Sequence, residues 1–107
     1  MMRQVIYDQE KFSRVDYDIR KAIFTFLEWA ERDLVDEDFD DFWFRMKFVD
    51  DDVILLYLMY KPEEDERILT WHIYLQSRLN EVFKHRGVDL GDLQVLVVVE
   101  SYDLWND

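Results

Sequence analysis

The sequence contains no cysteine, one proline and two glycines in 107 residues. Without cysteine there is no disulfide framework, no thiolate nucleophile and no thiolate metal ligand. That composition suits a reducing compartment, and a cytoplasmic location is the expectation. Glycine occurs only at Gly87 and Gly91, so no glycine-rich loop is present to cradle a phosphate. Proline occurs only at Pro62, and there is no internal repeat and no Ser/Gly/Pro-rich linker at which to divide the chain. Residues 1–107 therefore read as a single domain. Long hydrophobic runs are missing too. Val53 to Tyr60, the longest, is far short of the roughly 20 apolar residues that a spanning helix needs. The first residues lack the continuous apolar segment of a signal peptide. No membrane association is expected.

Basic residues are scarce: 13 Lys and Arg stand against 25 Asp and Glu, a formal net charge of −12. A field of that sign repels nucleic-acid phosphates and anionic lipid. Arg14, Arg20 and Lys21 come closest to a basic patch, but Asp16 and Asp18 interleave with them, which reads as helix salt bridges. The sequence thus points away from direct nucleic-acid binding and toward a basic protein partner.

What is abundant is apolar and aromatic material. Hydrophobic residues make up 50% and aromatic residues 17%, enough for a chain of this length to bury a core that offsets its ordering entropy. Ile19, Ala22, Ile23, Phe26 and Ala30 recur on one face of a helix over residues 14–33, with Ser13, Asp16 and Asp18 as capping residues. Phe24, Leu27 and Trp29 widen that stripe, which predicts either contacts on two sides or an interface. From Phe42 to Phe48 the period becomes two, a strand with Trp43, Arg45 and Lys47 on its wet face, as at the edge of a sheet. A turn at Asp50 to Asp52 leads into Val53 to Tyr60, apolar throughout and so central.

Lys61 to Glu66 sets a proline and four acids where a helix would begin. Ile68, Trp71, Leu75, Leu79, Val82 and Phe83 follow at helical spacing, and Gly87 supplies a stop. The competing reading makes residues 67–75 a third strand, because Leu69, Trp71, Ile73 and Leu75 also alternate; the helix is favoured. Residues 93–100 form the last strand, parallel to Val53 to Tyr60. The fold class is α+β, a single two-layer sandwich of element order αββαβ, with two helices on one face of a mixed three- to four-stranded sheet. If residues 3–8 also pair, the order becomes βαββαβ, as in a ferredoxin-like fold. The second face, with Trp43, Val53, Leu55 and Tyr57, then needs a cover, which predicts a homodimer.

Catalytic material is thin. Ser13, Ser77 and Ser101 sit in no nucleophile motif, and the two histidines, His72 and His85, lie 13 residues apart on one predicted helix, too far apart to share a metal. His72 reads as a hydrogen-bonded histidine at the core margin and His85 as a favourable charge at a helix end. Asp36, Asp38 and Asp40 alternate like calcium-loop ligands, but Asp41 and Lys47 stand where that loop needs glycine and glutamate. No cofactor, no metal and no enzymatic activity are expected.

Six of the nine residues 33–41 are acidic. Two like charges about 7 Å apart in water repel by only about 0.6 kcal/mol, so a solvated rim explains the run without function. The sharper reading is a surface for a basic partner. Carboxylates on alternate residues of an extended segment recur at about 6.6 Å, of the order of phosphate spacing, with aromatic anchors between them. The pattern suits an inhibitor of a basic nucleic-acid-binding or nuclease protein, of the immunity-protein or nucleic-acid-mimic type. Asp36, Asp38, Phe39, Asp40, Asp41 and Trp43 are its expected contacts, with Glu63, Glu64 and Glu66 as rim. The rival reading is a structural or adaptor subunit whose interface is Phe24, Leu27 and Trp29, or the sheet face.

Overall fold

The computed structural model describes residues 4–39, 41–61, 68 and 70–101. A two-residue strand β1 (Val5–Ile6) and a short helix α1 (Gln9–Ser13) precede the long helix α2 (Tyr17–Asp36). Strands β2 (Phe42–Val49) and β3 (Val53–Tyr60), helix α3 (Trp71–His85) and strand β4 (Gln94–Ser101) follow. The fold is α+β, a mixed four-stranded sheet in the order β1-β2-β3-β4 with the helices on one face.

β2 and β3 form an antiparallel hairpin of eight residue pairs, from Phe42 opposite Tyr60 to Val49 opposite Val53. Its turn places Asp50 at φ 55°, a left-handed conformation that aspartate tolerates better than most residues. β4 runs parallel to β3, with Ile54 opposite Val95 and Leu58 opposite Val99, so the uncharged strand is central, as expected. β2 is not the edge that its charged alternates predict. β1 lies outside it in parallel, Val5 opposite Phe44, but covers only two of its eight residues.

With β1 paired, strands 1 to 4 follow chain order, and each crossover joins immediate neighbours. A ferredoxin-like sheet splits its crossovers with an intervening strand, so that form of the expectation is corrected. The two crossovers step the same way across the sheet from strands of opposite direction, and both carry helices on one face, so they are of opposite hand. Right-handedness is imposed by strand twist, which has least hold on the two-residue β1.

The pleat sorts the side chains. Phe42, Phe44 and Met46 of β2, Ile54, Leu56, Leu58 and Tyr60 of β3, and Val95 and Val97 of β4 enter one core with the helices. Phe12 of α1 packs edge-on against Tyr7 and Phe24 and lies 6.5 Å from Phe48, joining the first crossover to the sheet. On the opposite face Trp43, Leu55, Tyr57, Met59, Leu96 and Val98 alternate with those residues, and no described helix packs there. Met59 and Tyr57 are buried nonetheless, whereas Leu96 keeps 40% of its surface exposed and Ile6 41%.

α2 begins at Tyr17 rather than residue 14. Arg14 and Val15 close α1 through bonds to Lys11 and Phe12 carbonyls, and Asp16 then accepts the Asp18 N–H at 3.1 Å as the cap. Ser13 belongs to α1, its hydroxyl donating to the Glu10 carbonyl. In α3, Leu75, Leu79, Val82 and Phe83 are buried, which decides residues 71–75 in favour of helix. Gly87, at φ 62°, ends it. Its N–H donates to the Lys84 carbonyl and that of Val88 to Phe83, the pair of bonds of a Schellman cap.

Candidate functional site

The acidic segment is built on the same cap. At the end of α2 the Asp38 N–H donates to the Val35 carbonyl and the Phe39 N–H to Leu34 at 2.9 Å, with Asp38 at φ 68°. Asp38 occupies the left-handed position that Gly87 holds in α3. A Schellman cap brings the residue after the left-handed one against the helix's last turn. Phe39 accordingly lies in the core at 2% exposure beside buried Leu34, its ring edge-on to Trp71 at 5.9 Å. The expectation of Phe39 as an exposed anchor is corrected by that geometry. So is the phosphate-like spacing, because residues 33–36 are helical rather than extended.

Asp36, Glu37, Asp38 and Asp41 are all exposed around this cap. The last turn of α2 contains no base, although a helix C-terminus is the negative end of its dipole and favours cations. α3 follows the rule, with Lys84 and His85 in its last turn. Two side-chain contacts stand near the cap. Lys61 Nζ stands 3.7 Å from Asp41 Oδ2, both side chains about half exposed, and Tyr74 donates its hydroxyl to Asp33 Oδ2 at 3.0 Å. Burial first, then the Asp33 hydrogen bond and charge, push the Tyr74 phenol above its ordinary pKa. Among the described residues the Asp36 and Asp38 carboxylates meet no cation.

Trp43 lies close in sequence to these acids, half-buried on the second sheet face, in register with Met59 and thence Glu100. Asp40, Glu63, Glu64 and Glu66 lie outside the described residues. The structure therefore brings together Asp36, Asp38 and Asp41 with the start of β2, and moves Phe39 inside.

The helix interface is accounted for internally. Leu27 is 1% exposed, Phe24 packs edge-on against Tyr7 and Phe12, and the Arg78 guanidinium lies over the Trp29 ring at 4.8 Å. The wide stripe of α2 thus touches α1 on one side and α3 on the other. Of the two alternatives the sequence left, contact on two sides holds; Leu27, expected at an interface, lies in the core instead, while Phe24 and Trp29 are half-buried.

His72 Nε2 donates to the Val97 carbonyl at 2.8 Å, a bond to the β4 backbone, and exposed His85 ends α3. Among the described residues no three histidine or carboxylate side chains are placed to hold a metal ion. No described helix is long and apolar enough to cross a membrane. Sequence reasoning missed Gln76, whose amide bonds the β4 backbone at Val95 and Val97. Nothing local marks such a residue, because its role depends on where β4 lies. Comparison with protein-family models, curated proteins and solved structures finds no match to this chain.

Proposed function

We propose that the protein is a non-enzymatic, cytoplasmic binding domain that captures a basic partner protein, occupying the partner's nucleic-acid-binding or nuclease surface in the manner of an immunity protein or nucleic-acid mimic. The observation that carries this reading is the end of α2. Asp36 and Asp38 sit at the negative pole of a 20-residue helix, on a hydrogen-bonded cap and without a base in the last turn. Each such charge costs about 0.3 to 1 kcal/mol at a helix C-terminus, a cost that a docked lysine or arginine would reverse. A lysine or glycine at the same positions is expected to raise stability, a trade found at surfaces kept for binding.

The test is retention of partners from lysate on the immobilised protein, with the Asp36→Asn/Asp38→Asn variant as comparison. A basic protein held at low salt, released at high salt and lost by the variant supports the reading. Capture that ignores both salt and the variant rejects it.

A second reading, an oligomerising or adaptor subunit, is favoured by the exposure of Ile6 and Leu96 on the second sheet face. There a homodimer or a partner would complete the cover.

A further inference from the structure

At the opposite end of α2 from the acidic cap lies a cleft of about 470 Å³ between the α1–α2 elbow, the β2–β3 turn and the loop before β4. A 20-residue helix separates the two places by roughly 30 Å. The floor is apolar: Ile19 and Ile54 are buried, while Val15, Phe48, Val53 and Leu93 are only half-covered. A cleft of this volume with an apolar floor and a few polar groups has the dimensions of a small-molecule site.

Its walls carry opposite charge. The elbow contributes Lys11 and Arg14, and the turn contributes Asp50 and Asp51, with Asp16 at the start of α2. Arg14 is held by Glu10 at 2.8 Å, and Asp16 is used as the cap of α2. Lys11, Asp50 and Asp51 line the same cleft, yet none of their side chains takes part in an ion pair. A cleft of about 470 Å³ has room for a short dipolar molecule between these walls, with a charge-assisted hydrogen bond of about 2.8 Å at each end.

We propose that this cleft binds a zwitterionic α-amino acid with an aliphatic or aromatic side chain. Its carboxylate meets Lys11 near the positive end of α2, its ammonium meets Asp50 and Asp51, and its side chain covers Phe48, Val15 and Leu93. Three carboxylates against two cations repel a phosphate or other plain anion. A simple cation leaves the apolar floor and Lys11 unused, and an uncharged apolar molecule leaves both walls unpaired. The site is open, so affinity is expected at roughly 0.1 to 1 mM. This inference is independent of the acidic cap, and either stands if the other fails.

The experiment titrates the full chain with L-phenylalanine and L-leucine by calorimetry, with amide NMR shifts to locate the site. N-acetyl-L-phenylalanine, lacking the ammonium, and L-phenylalanine amide, lacking the carboxylate, are the controls. Saturable binding is expected, with shifts at Val15, Phe48 and Leu93, and each blocked end should weaken it at least tenfold. Lys11→Met should weaken phenylalanine tenfold while leaving the amide unaffected, and Asp50→Asn/Asp51→Asn should weaken phenylalanine tenfold while leaving the N-acetyl form unaffected. Circular dichroism of both variants verifies the fold. Absence of saturable binding up to about 10 mM, tenfold above the weakest affinity expected, overturns the proposal. So does equal binding of the blocked forms, or shifts confined elsewhere.

Discussion

Gln76 and Val97 meet across the outer edge of the sheet, with the side-chain Oε1 of Gln76 accepting the Val97 N–H at 2.7 Å. His72, one turn earlier on α3, takes the Val97 carbonyl. β4 is the last strand in the sheet order, and a bare outer edge would template pairing with another chain. Two side chains of a helix here stand in for a fifth strand at Val95 and Val97.

Removing that substitute should have two effects. Gln76→Ala leaves the Val97 N–H without its partner and is expected to cost about 1 to 2 kcal/mol in urea unfolding. It should also raise the tendency to self-associate, read by light scattering against the unaltered protein. His72→Ala should act in the same direction.

The α2 cap predicts gains rather than losses. Asp38→Gly replaces a left-handed aspartate with the residue that α3 uses at the same place and should stabilise by about 1 kcal/mol. Asp36→Asn should add about 0.3 to 1 kcal/mol by removing a carboxylate from the negative helix end. Urea midpoints measure both. The same changes should weaken capture of a basic partner, so stability and binding move in opposite directions.

Phe39→Ala separates core from contact. Loss of a buried phenylalanine ring should cost about 3 to 5 kcal/mol. A variant that unfolds at the same urea concentration as the parent would remove Phe39 from the core.

Alkaline pH should destabilise the fold through Tyr57 and Tyr74. Burial raises both phenols above 10.0, the charge of Glu100 adding at Tyr57 and the Asp33 bond at Tyr74. The folded state then holds those protons more tightly than the unfolded chain does. The associated stability is complete below pH about 10 and falls as pH rises through the folded values. Absorbance at the phenolate band should show two tyrosines titrating late, together with a falling thermal midpoint.

The second sheet face decides the oligomer question. Leu96→Lys places a charge at an exposed apolar position of that face and should leave the monomer folded. If the native protein sediments as a dimer, this change should shift it to monomer; a native monomer at micromolar concentration removes the homodimer reading.

The parts of this fold that could be read from the sequence are those fixed by periodicity within one segment. The stripe from Ile19 to Ala30 is buried as its spacing requires, and the uncharged run of β3 has a partner on each side. What failed depends on the chain's path. The α2 boundary moved because a separate helical turn ends at Ser13 before Asp16 caps the next. Phe39 looked exposed because acids surround it in sequence, whereas the left-handed step at Asp38 turns it inward. The candidate cleft joins three segments that no sequence window contains.

The eight-pair ladder between β2 and β3 has a consequence for how the chain can be divided. Among the described residues it is the only strand pairing that links the first strand–helix–strand unit to the second. A backbone cut in the turn at Asp50 to Asp52 would leave two fragments, each carrying one parallel pair and one newly exposed eight-residue strand edge. Those two edges match each other in register and apolar pattern, so the two halves are expected to reassemble as a split protein with one continuous sheet.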